Sequence, residues 1–191
     1  MCRSYKMTVT VTDFKDSLRR EKDFDHVIGL LDHGEQFSHL ALKLAEIPNR
    51  TMFWFDDVPD DRFGHAPKEE HIAAIIKLIK DKGLDDGSKN VLVHCAAGIS
   101  RSTATAIGLL IMRGLPIESA FEIIERQRPY MWPNKLVLAH FDLLLGLNWK
   151  LTEYHRQWED QGLDKHNKKA QDYAELFGGF MEDMGQTTNK E

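Results

Sequence analysis

Four short segments in the first half of the chain carry the patterns expected of β-strands. Residues 8–12 alternate threonine and valine with a period of two, which predicts a short strand. Residues 26–31 form an apolar run of strand length, and residues 51–55 are rich in aromatic side chains. Residues 90–94 are mostly apolar on both faces, which is typical of a strand buried on both sides of a sheet.

Helical spacing fills the intervals between these strands and the region after them. Asp13 suits the N-cap of a short charged helix that continues to residue 20. Apolar residues three and four positions apart predict longer helices over residues 37–47, 67–82, 102–113, 116–128 and 134–147. Strands that alternate with helices, followed by helices alone, predict an α/β fold with a small central, mostly parallel sheet flanked by helices.

The composition shifts near Trp149, where a polar segment with scattered aromatic residues begins. A chain of 191 residues suits one domain with a small extension. We therefore expect one domain over residues 1–148. Residues 149–191 are expected to form a C-terminal helical extension that packs on this domain and frays at its end.

Charge and hydropathy narrow the classes of partner. The formal net charge of -5 provides no overall attraction for nucleic acid or for an anionic membrane. The longest apolar run is far shorter than the roughly 20 residues that span a bilayer, and the first residues are too polar for a signal peptide. We expect a cytoplasmic protein with neither a nucleic-acid nor a membrane partner, and the sequence leaves its oligomeric state open.

The motifs that would hold a cofactor or a metal are missing from the sequence. The two glycine-rich motifs that bind nucleotides, GxxxxGK[ST] and GxGxxG, do not occur. The possible metal ligands His65, Glu69, Glu70 and His71 do not have the spacing of a zinc site. The expectation is therefore no cofactor and no metal. The chain has 2 cysteines, Cys2 and Cys95, which are too few for a disulfide framework.

The segment that carries the chemistry follows the strand over residues 90–94. Cys95 is followed by a short loop with Gly98, then by Arg101 and the start of a helix. Such a loop directs backbone N–H groups at an anion, and the helix adds its positive end. Arg101 can bind a phosphate through two nitrogens, and a thiolate within this ring of donors would be a nucleophile at neutral pH. The expected anion-binding residues are Ala96, Ala97, Gly98, Ile99, Ser100 and Arg101.

This segment resembles the signature of the cysteine-dependent protein tyrosine phosphatase superfamily, in its small dual-specificity branch. The residues that match this signature are His94, Cys95, Gly98, Ser100, Arg101 and Ser102. Residues 125–129, then Pro133 and Asn134 with the helix that follows, resemble the corresponding later segment of those enzymes. The resemblance covers about residues 25–148. It implies hydrolysis of phosphotyrosine, and of phosphoserine and phosphothreonine in dual-specificity enzymes, through a phosphocysteine intermediate.

The resemblance also implies roles for individual residues. Asp57 is the choice for the general acid that protonates the leaving oxygen, with Asp56 as its rival and Asp60 and Asp61 as weaker alternatives. Ser102 would donate to the cysteine sulfur when it leaves, and His94 would orient the loop. Asn134 would brace the phosphate-binding loop from the later helix.

Three other functions remain open at this point. A phosphoinositide, an RNA 5′ end or a phosphosugar could be the substrate, although none of the residues between Cys95 and Arg101 is basic. A phosphate-binding module without turnover would usually lack the cysteine or the acid. A sulfurtransferase with a similar loop would not need the aspartate upstream.

Overall fold

The computed structural model describes residues 9–62 and 64–162. Cys2, Thr8 and the tail from residue 163, including its aromatic residues, lie outside the described residues. A first compact unit ends at Tyr154 and a second begins at His155. The predicted boundary at residue 148, and the packing of residues 149–191 on the domain, stay predictions.

Four strands form one parallel sheet, as the pattern of the sequence predicts. They are β1 (Val9–Thr12), β2 (His26–Leu31), β3 (Arg50–Trp54) and β4 (Val91–His94). Their order across the sheet is β1-β4-β2-β3, and each neighbouring pair is parallel. β2 and β4 are therefore central, which explains why both are apolar on both faces and fully buried.

Seven α-helices accompany the sheet within the described part of the chain. They are α1 (Phe14–Arg20), α2 (His39–Ala45), α3 (Glu69–Asp81), α4 (Arg101–Met112), α5 (Ile117–Gln127), α6 (Lys135–Leu144) and α7 (residues 150–162). Asp13 caps α1 by accepting a hydrogen bond from the N–H of Asp16, as expected from the sequence. Helix α2 is shorter than the predicted range 37–47, since Phe37 belongs to a separate 3-10 helix (His33–Phe37), Ser38 is the N-cap and the helix ends at Ala45. Another 3-10 helix, Glu21–Asp23, precedes β2.

Helix α4 is the central helix of the domain. It contacts β1, β4, α5 and α6, and all of its residues from Arg101 to Leu110 are buried. Gly108 permits the close contact with α6, since a Cβ there would lie 2.7 Å from the Phe141 ring. This packing fixes the start of α4, where Arg101 and Ser102 lie, against the carboxyl end of the sheet.

The last described part of the first unit is tied to α6 by a buried carboxylate. Asp142 accepts hydrogen bonds from the backbone N–H groups of Trp149 and Thr152, each at 2.8 Å. Tyr154 lies edge to face against Phe121, with ring centroids 4.9 Å apart. No helix among residues 9–62 and 64–162 is long and apolar enough to cross a membrane.

Candidate active site

The parallel sheet brings Cys95 and Asp57, which were predicted as site residues, to one edge together with Asp32, which was not. Asp32 follows β2, Asp57 lies three residues beyond β3, and Cys95 directly follows β4. Because the carboxyl ends of parallel strands meet at the same edge, these residues converge although they are far apart in sequence. Helix α4 begins at that edge and contributes Arg101 and Ser102.

Cys95 lies at the centre of the loop over residues 95–101, which we call the anion loop. It is buried, and its sulfur lies 3.2 Å from the N–H nitrogen of Gly98 and 3.2 Å from the hydroxyl of Ser102. Both groups can donate to a thiolate. Ala96 and Ala97 are exposed, so the loop itself is open to solvent at this point.

The carbonyl groups of the anion loop point away from its centre. Each carbonyl from residue 96 to residue 100 accepts a hydrogen bond from a donor outside the ring. The donors are Phe14 N–H to residue 96, Arg128 to residues 97 and 98, Trp132 N–H to residue 99, and Ala104 N–H to residue 100. In a trans peptide the next N–H points opposite to the carbonyl. The N–H groups are therefore turned inward, towards the place of an anion.

Gly98 makes this conformation possible. Its φ angle of 70° is in the left-handed region that favours glycine. A Cβ at this position would also lie 2.5 Å from the carbonyl oxygen of Thr12 and 2.8 Å from Nη2 of Arg128. The loop can therefore pack against β1 only with glycine at this position.

Arg101 is buried beneath the loop and fixed at one of its nitrogens. Nη1 donates to the carbonyl of Phe55 at 2.7 Å and lies 2.8 Å from the Asp32 carboxylate. Nε is buried and has no hydrogen-bond partner among the described residues. Nε therefore still has an N–H to donate to an anion in the loop.

The adjacent residues Asp57 and Asp56 have different surroundings. Oδ1 of Asp57 accepts hydrogen bonds from the Ser100 hydroxyl at 2.6 Å and from Nδ2 of Asn134 at 2.9 Å. Its Oδ2 lies 3.8 Å from Nε of Arg101. Asp56 instead accepts from the backbone N–H of His33 at 3.0 Å, a contact that ties two loops together.

Asp60, a weaker alternative for the general acid, pairs with Arg62 and not with a residue of the anion loop. It binds Arg62 through two nitrogens, at 2.8 Å and 2.6 Å, on the surface. The hydrogen bonds from Arg62 lower the pKa of Asp60 to about 2. The pair with Arg62 therefore stabilises the ionised form of Asp60 and makes this residue a poorer proton donor than an ordinary carboxyl.

Asn134 contacts Asp57 through its side chain and the anion loop through its backbone N–H. Its Nδ2 donates to Asp57 and to the carbonyl of Val58, whereas its side-chain oxygen caps α6 by accepting from Leu136 and Val137. Only its backbone N–H approaches the anion loop, at 3.4 Å from the Ser100 carbonyl. The side chain thus braces the segment that carries Asp57 rather than the phosphate-binding loop named in the prediction.

His94 lies on the inner side of Cys95 and is completely buried. Its Nδ1 lies 3.4 Å from the Cys95 carbonyl oxygen, and its Nε2 lies 2.8 Å from Nη1 of Arg50. Burial, and then the positive charge of Arg50, lower the pKa of His94 to about 4. The imidazole is therefore neutral at physiological pH.

Three residues contact this site although no role in it was predicted for them: Asp32 beside Arg101, Arg128 against the loop carbonyls, and Arg50 beside His94. Asp32 follows a predicted strand, and nothing in its spacing links it to Cys95. Arg128 lies within residues 125–129, which resemble a later segment of the phosphatases, but that resemblance gave it no role in the loop. Arg50 had one indirect signal, since Gly29 interrupts an otherwise apolar buried strand and a glycine there marks a close approach of other groups.

The histidines considered for a metal site have other contacts. His71 stacks on Phe55 with ring centroids 5.1 Å apart, and the rings of His33 and His65 stack at 3.6 Å. Within residues 9–62 and 64–162, no group of three or more histidine, cysteine or carboxylate side chains could hold a metal ion.

Comparison with known families decides the class of this site. Residues 9–141 match the model of the dual specificity phosphatase catalytic domain. The chain belongs to this family. A protein named as a tyrosine phosphatase in Invertebrate iridescent virus 6 is 33% identical over 113 residues, which is 58% of this chain and 68% of the viral protein. The match to human dual specificity protein phosphatase 16 is 33% identical over 86 residues, or 41% of this chain, but only 13% of that protein.

A solved structure of human DUSP28 supports the same fold. It covers 75% of this chain and 97% of its own, with a TM-score of 0.54 and 15% sequence identity. The family match confirms the predicted α/β phosphatase fold and the predicted superfamily. Together with these relatives it supports a cysteine-dependent protein phosphatase.

Proposed function

We propose that this protein hydrolyses phosphotyrosine in phosphoproteins through a phosphocysteine intermediate on Cys95. The observation that carries the proposal is the ring of inward N–H groups around a buried sulfur, closed by Arg101 and approached by Asp57. A phosphate dianion bound there would accept hydrogen bonds from the loop and from Nε of Arg101, which has no hydrogen-bond partner among the described residues. The negative net charge of the chain does not oppose this, because the positive field is local.

In the first step, the Cys95 thiolate attacks phosphorus in line with the ester oxygen. The sulfur–phosphorus bond forms as the bond to the ester oxygen breaks, and that oxygen takes a proton from Asp57. A tyrosine phenolate has a pKa of about 10, so this proton lowers the barrier. Both hydrogen bonds to Asp57 involve Oδ1, which leaves Oδ2 to carry the proton.

In the second step, water attacks the phosphorus of the phosphocysteine. The Asp57 carboxylate accepts a proton from that water, the sulfur–phosphorus bond breaks, and inorganic phosphate forms. The Ser102 hydroxyl, 3.2 Å from the sulfur, donates a hydrogen bond to the departing thiolate. Ser102 is the second residue of α4 and not its N-cap, which is Ser100, so this contact with the sulfur is the role that we propose for its hydroxyl.

The same site bears on the choice between protein and polyanionic substrates. Residues between Cys95 and Arg101 provide no second cation, and the guanidinium of Arg128 is committed to the carbonyls of Ala97 and Gly98. An inositol headgroup with several phosphates would find no additional anchor within the loop. A phosphoprotein is therefore the proposed substrate, and a cytoplasmic location stays a prediction.

The test compares the release of phosphate by the wild-type protein and by a Cys95→Ser variant. The substrates are a phosphotyrosine peptide, a phosphothreonine peptide, a phosphoinositide and an RNA with a 5′ phosphate. We expect the phosphotyrosine peptide to be hydrolysed fastest and the variant to lose at least about a thousandfold in turnover. Equal turnover by the variant would contradict the mechanism, and faster hydrolysis of a non-protein substrate would contradict the substrate class.

A further inference from the structure

A buried arginine lies behind the anion loop, outside the set of residues that the proposed mechanism uses. Arg50 begins β3, its guanidinium is fully buried, and its Nη1 lies 2.8 Å from Nε2 of His94. Its Nη2 donates to Glu21 at 2.9 Å. Its Nε is buried and has no hydrogen-bond partner among the described residues. Burying an arginine with one carboxylate partner and an unpaired nitrogen is costly, so a structural role alone explains it poorly.

The contact between Arg50 and His94 crosses a whole strand. β2 lies between β3, which carries Arg50, and β4, which ends at His94. Gly29 is the residue of β2 opposite His94, and a Cβ there would lie 2.6 Å from Nε2 of His94 and 2.4 Å from the sulfur of Met52. The missing side chain at position 29 therefore makes the space in which the arginine and the imidazole meet.

The direction of this hydrogen bond fixes the state of the imidazole. A guanidinium can only donate, so Nε2 of His94 must accept, and the ring proton must then lie on Nδ1. Nδ1 is the nitrogen that faces the Cys95 carbonyl oxygen, at 3.4 Å. The chain of contacts thus runs from Glu21 through Arg50 and His94 to the backbone of Cys95.

We propose that Arg50 is a positioning residue for the phosphatase reaction, which acts on Cys95 through His94. By keeping Nε2 as an acceptor, Arg50 directs the Nδ1–H at the Cys95 carbonyl and holds that carbonyl against the buried His94, away from the centre of the loop. The peptide at the head of the loop then keeps the orientation in which later N–H groups face the sulfur. This proposal rests on the proposed function of Cys95.

The charges around His94 support the same protonation state. Arg50 on β3 and Arg101 on α4 disfavour the imidazolium, whereas Asp13 before α1 and the Cys95 carbonyl favour it. Burial has the largest effect, and the balance is a lowered pKa of about 4. His94 therefore does not contribute a titration near neutral pH in the wild-type protein.

The first test measures how readily the thiolate forms, without any phosphate ester. Iodoacetamide alkylation of Cys95 is followed against pH in a Cys2→Ser background, so that one thiol reports. Arg50→Met should move the half-maximal rate to higher pH and slow alkylation at pH 6 roughly tenfold, the order of one lost hydrogen bond to a charged group. Arg50→Lys, which keeps a donor and the charge, should restore part of the rate.

Thr51→Val is the matched control for these variants. Thr51 is the next residue of β3, and its hydroxyl lies 3.1 Å from Nε2 of another buried histidine, His26. Side chains alternate along a strand, so this change perturbs the opposite face of the sheet. Its alkylation profile should match that of the wild type. If Arg50→Met folds and also matches the wild type, the proposal is wrong.

A second measurement uses the unmodified residue pair and does not depend on whether a variant folds. The ¹⁵N chemical shifts of the His94 ring identify which nitrogen carries the proton. We expect a neutral ring protonated at Nδ1 at pH 7, and a proton on Nε2 would overturn the proposal. Neither measurement involves turnover, so a protein that hydrolyses no phosphate ester would contradict the proposed function and leave this result interpretable.

Discussion

The two sides of the anion loop differ in how their polar groups are held. On the open side, Asp57 and Ser100 are partly exposed, and Asp57 accepts two hydrogen bonds at a single oxygen. On the closed side, His94 and Arg50 are buried, and Gly98 packs against Thr12 without space for a methyl group. The groups that would donate or accept protons during the reaction lie on the open side. The groups that fix the conformation of the loop backbone lie on the closed side.

This difference teaches that the two sides should fail in different ways. A change on the open side removes a chemical step and leaves the fold in place, because its contacts are partly solvated. A change on the closed side displaces the backbone that forms the anion site, so it should cost stability and turnover together.

The largest effect on the open side is expected from Asp57→Ala. Without a proton donor the phenolate leaves slowly, and turnover of an aryl phosphate should fall about a hundredfold or more, with phosphate affinity nearly unchanged. Steady-state kinetics and inhibition by inorganic phosphate measure these two quantities.

Two neighbouring carboxylates serve as controls for this variant. Asp56→Ala removes the contact with His33 and should lower stability more than turnover. Asp60→Asn breaks only an exposed pair with Arg62 and should behave like the wild type. If Asp56→Ala, and not Asp57→Ala, abolishes turnover, the acid is assigned to the wrong residue.

A smaller effect is expected on the closed side from Gly98→Ala. The methyl group would meet the Thr12 carbonyl at 2.5 Å and would add strain at a positive φ, which together should lower the free energy of unfolding by about 1–3 kcal/mol. Chemical denaturation measures this loss, and turnover should fall with it.

Gly87→Ala separates the effect of backbone strain on stability from the effect of the collision with the Thr12 carbonyl. Gly87 has a φ of 78° and nothing within 4 Å of the position of a Cβ, so its substitution introduces the strain without the collision. It should cost less stability and leave turnover intact. Equal losses at the two positions would show that packing against β1 does not shape the loop.

Much of this arrangement was predictable from local patterns. The strand His26–Leu31 and the cap at Asp13 follow from short-range hydrophobic and hydrogen-bonding preferences that tertiary contacts do not override. The loop from Cys95 to Arg101 was predictable because a strand, a glycine and a helix start are adjacent in the sequence.

The closed side could not be predicted in the same way. The meeting of Arg50 and His94 depends on β2 lying between β3 and β4, and the order of strands in a sheet is not encoded in the period of any one segment. Asp32 reaches Arg101, and Arg128 reaches Ala97, only because the carboxyl edge of the sheet and the end of α5 converge there. Contacts between elements set these positions, and a single sequence does not reveal them.

The central claim is that a phosphoryl group passes through the sulfur of Cys95. The most direct test is mass spectrometry of the protein after rapid acid quenching during turnover of a phosphotyrosine peptide, preferably with Ser102→Ala, which removes the hydrogen bond to the departing thiolate and so slows the second step. We expect a phosphoryl group on the peptide that contains Cys95, and none in Cys95→Ser. Turnover with no phosphoryl group at Cys95, or with the group on another residue, would contradict the mechanism.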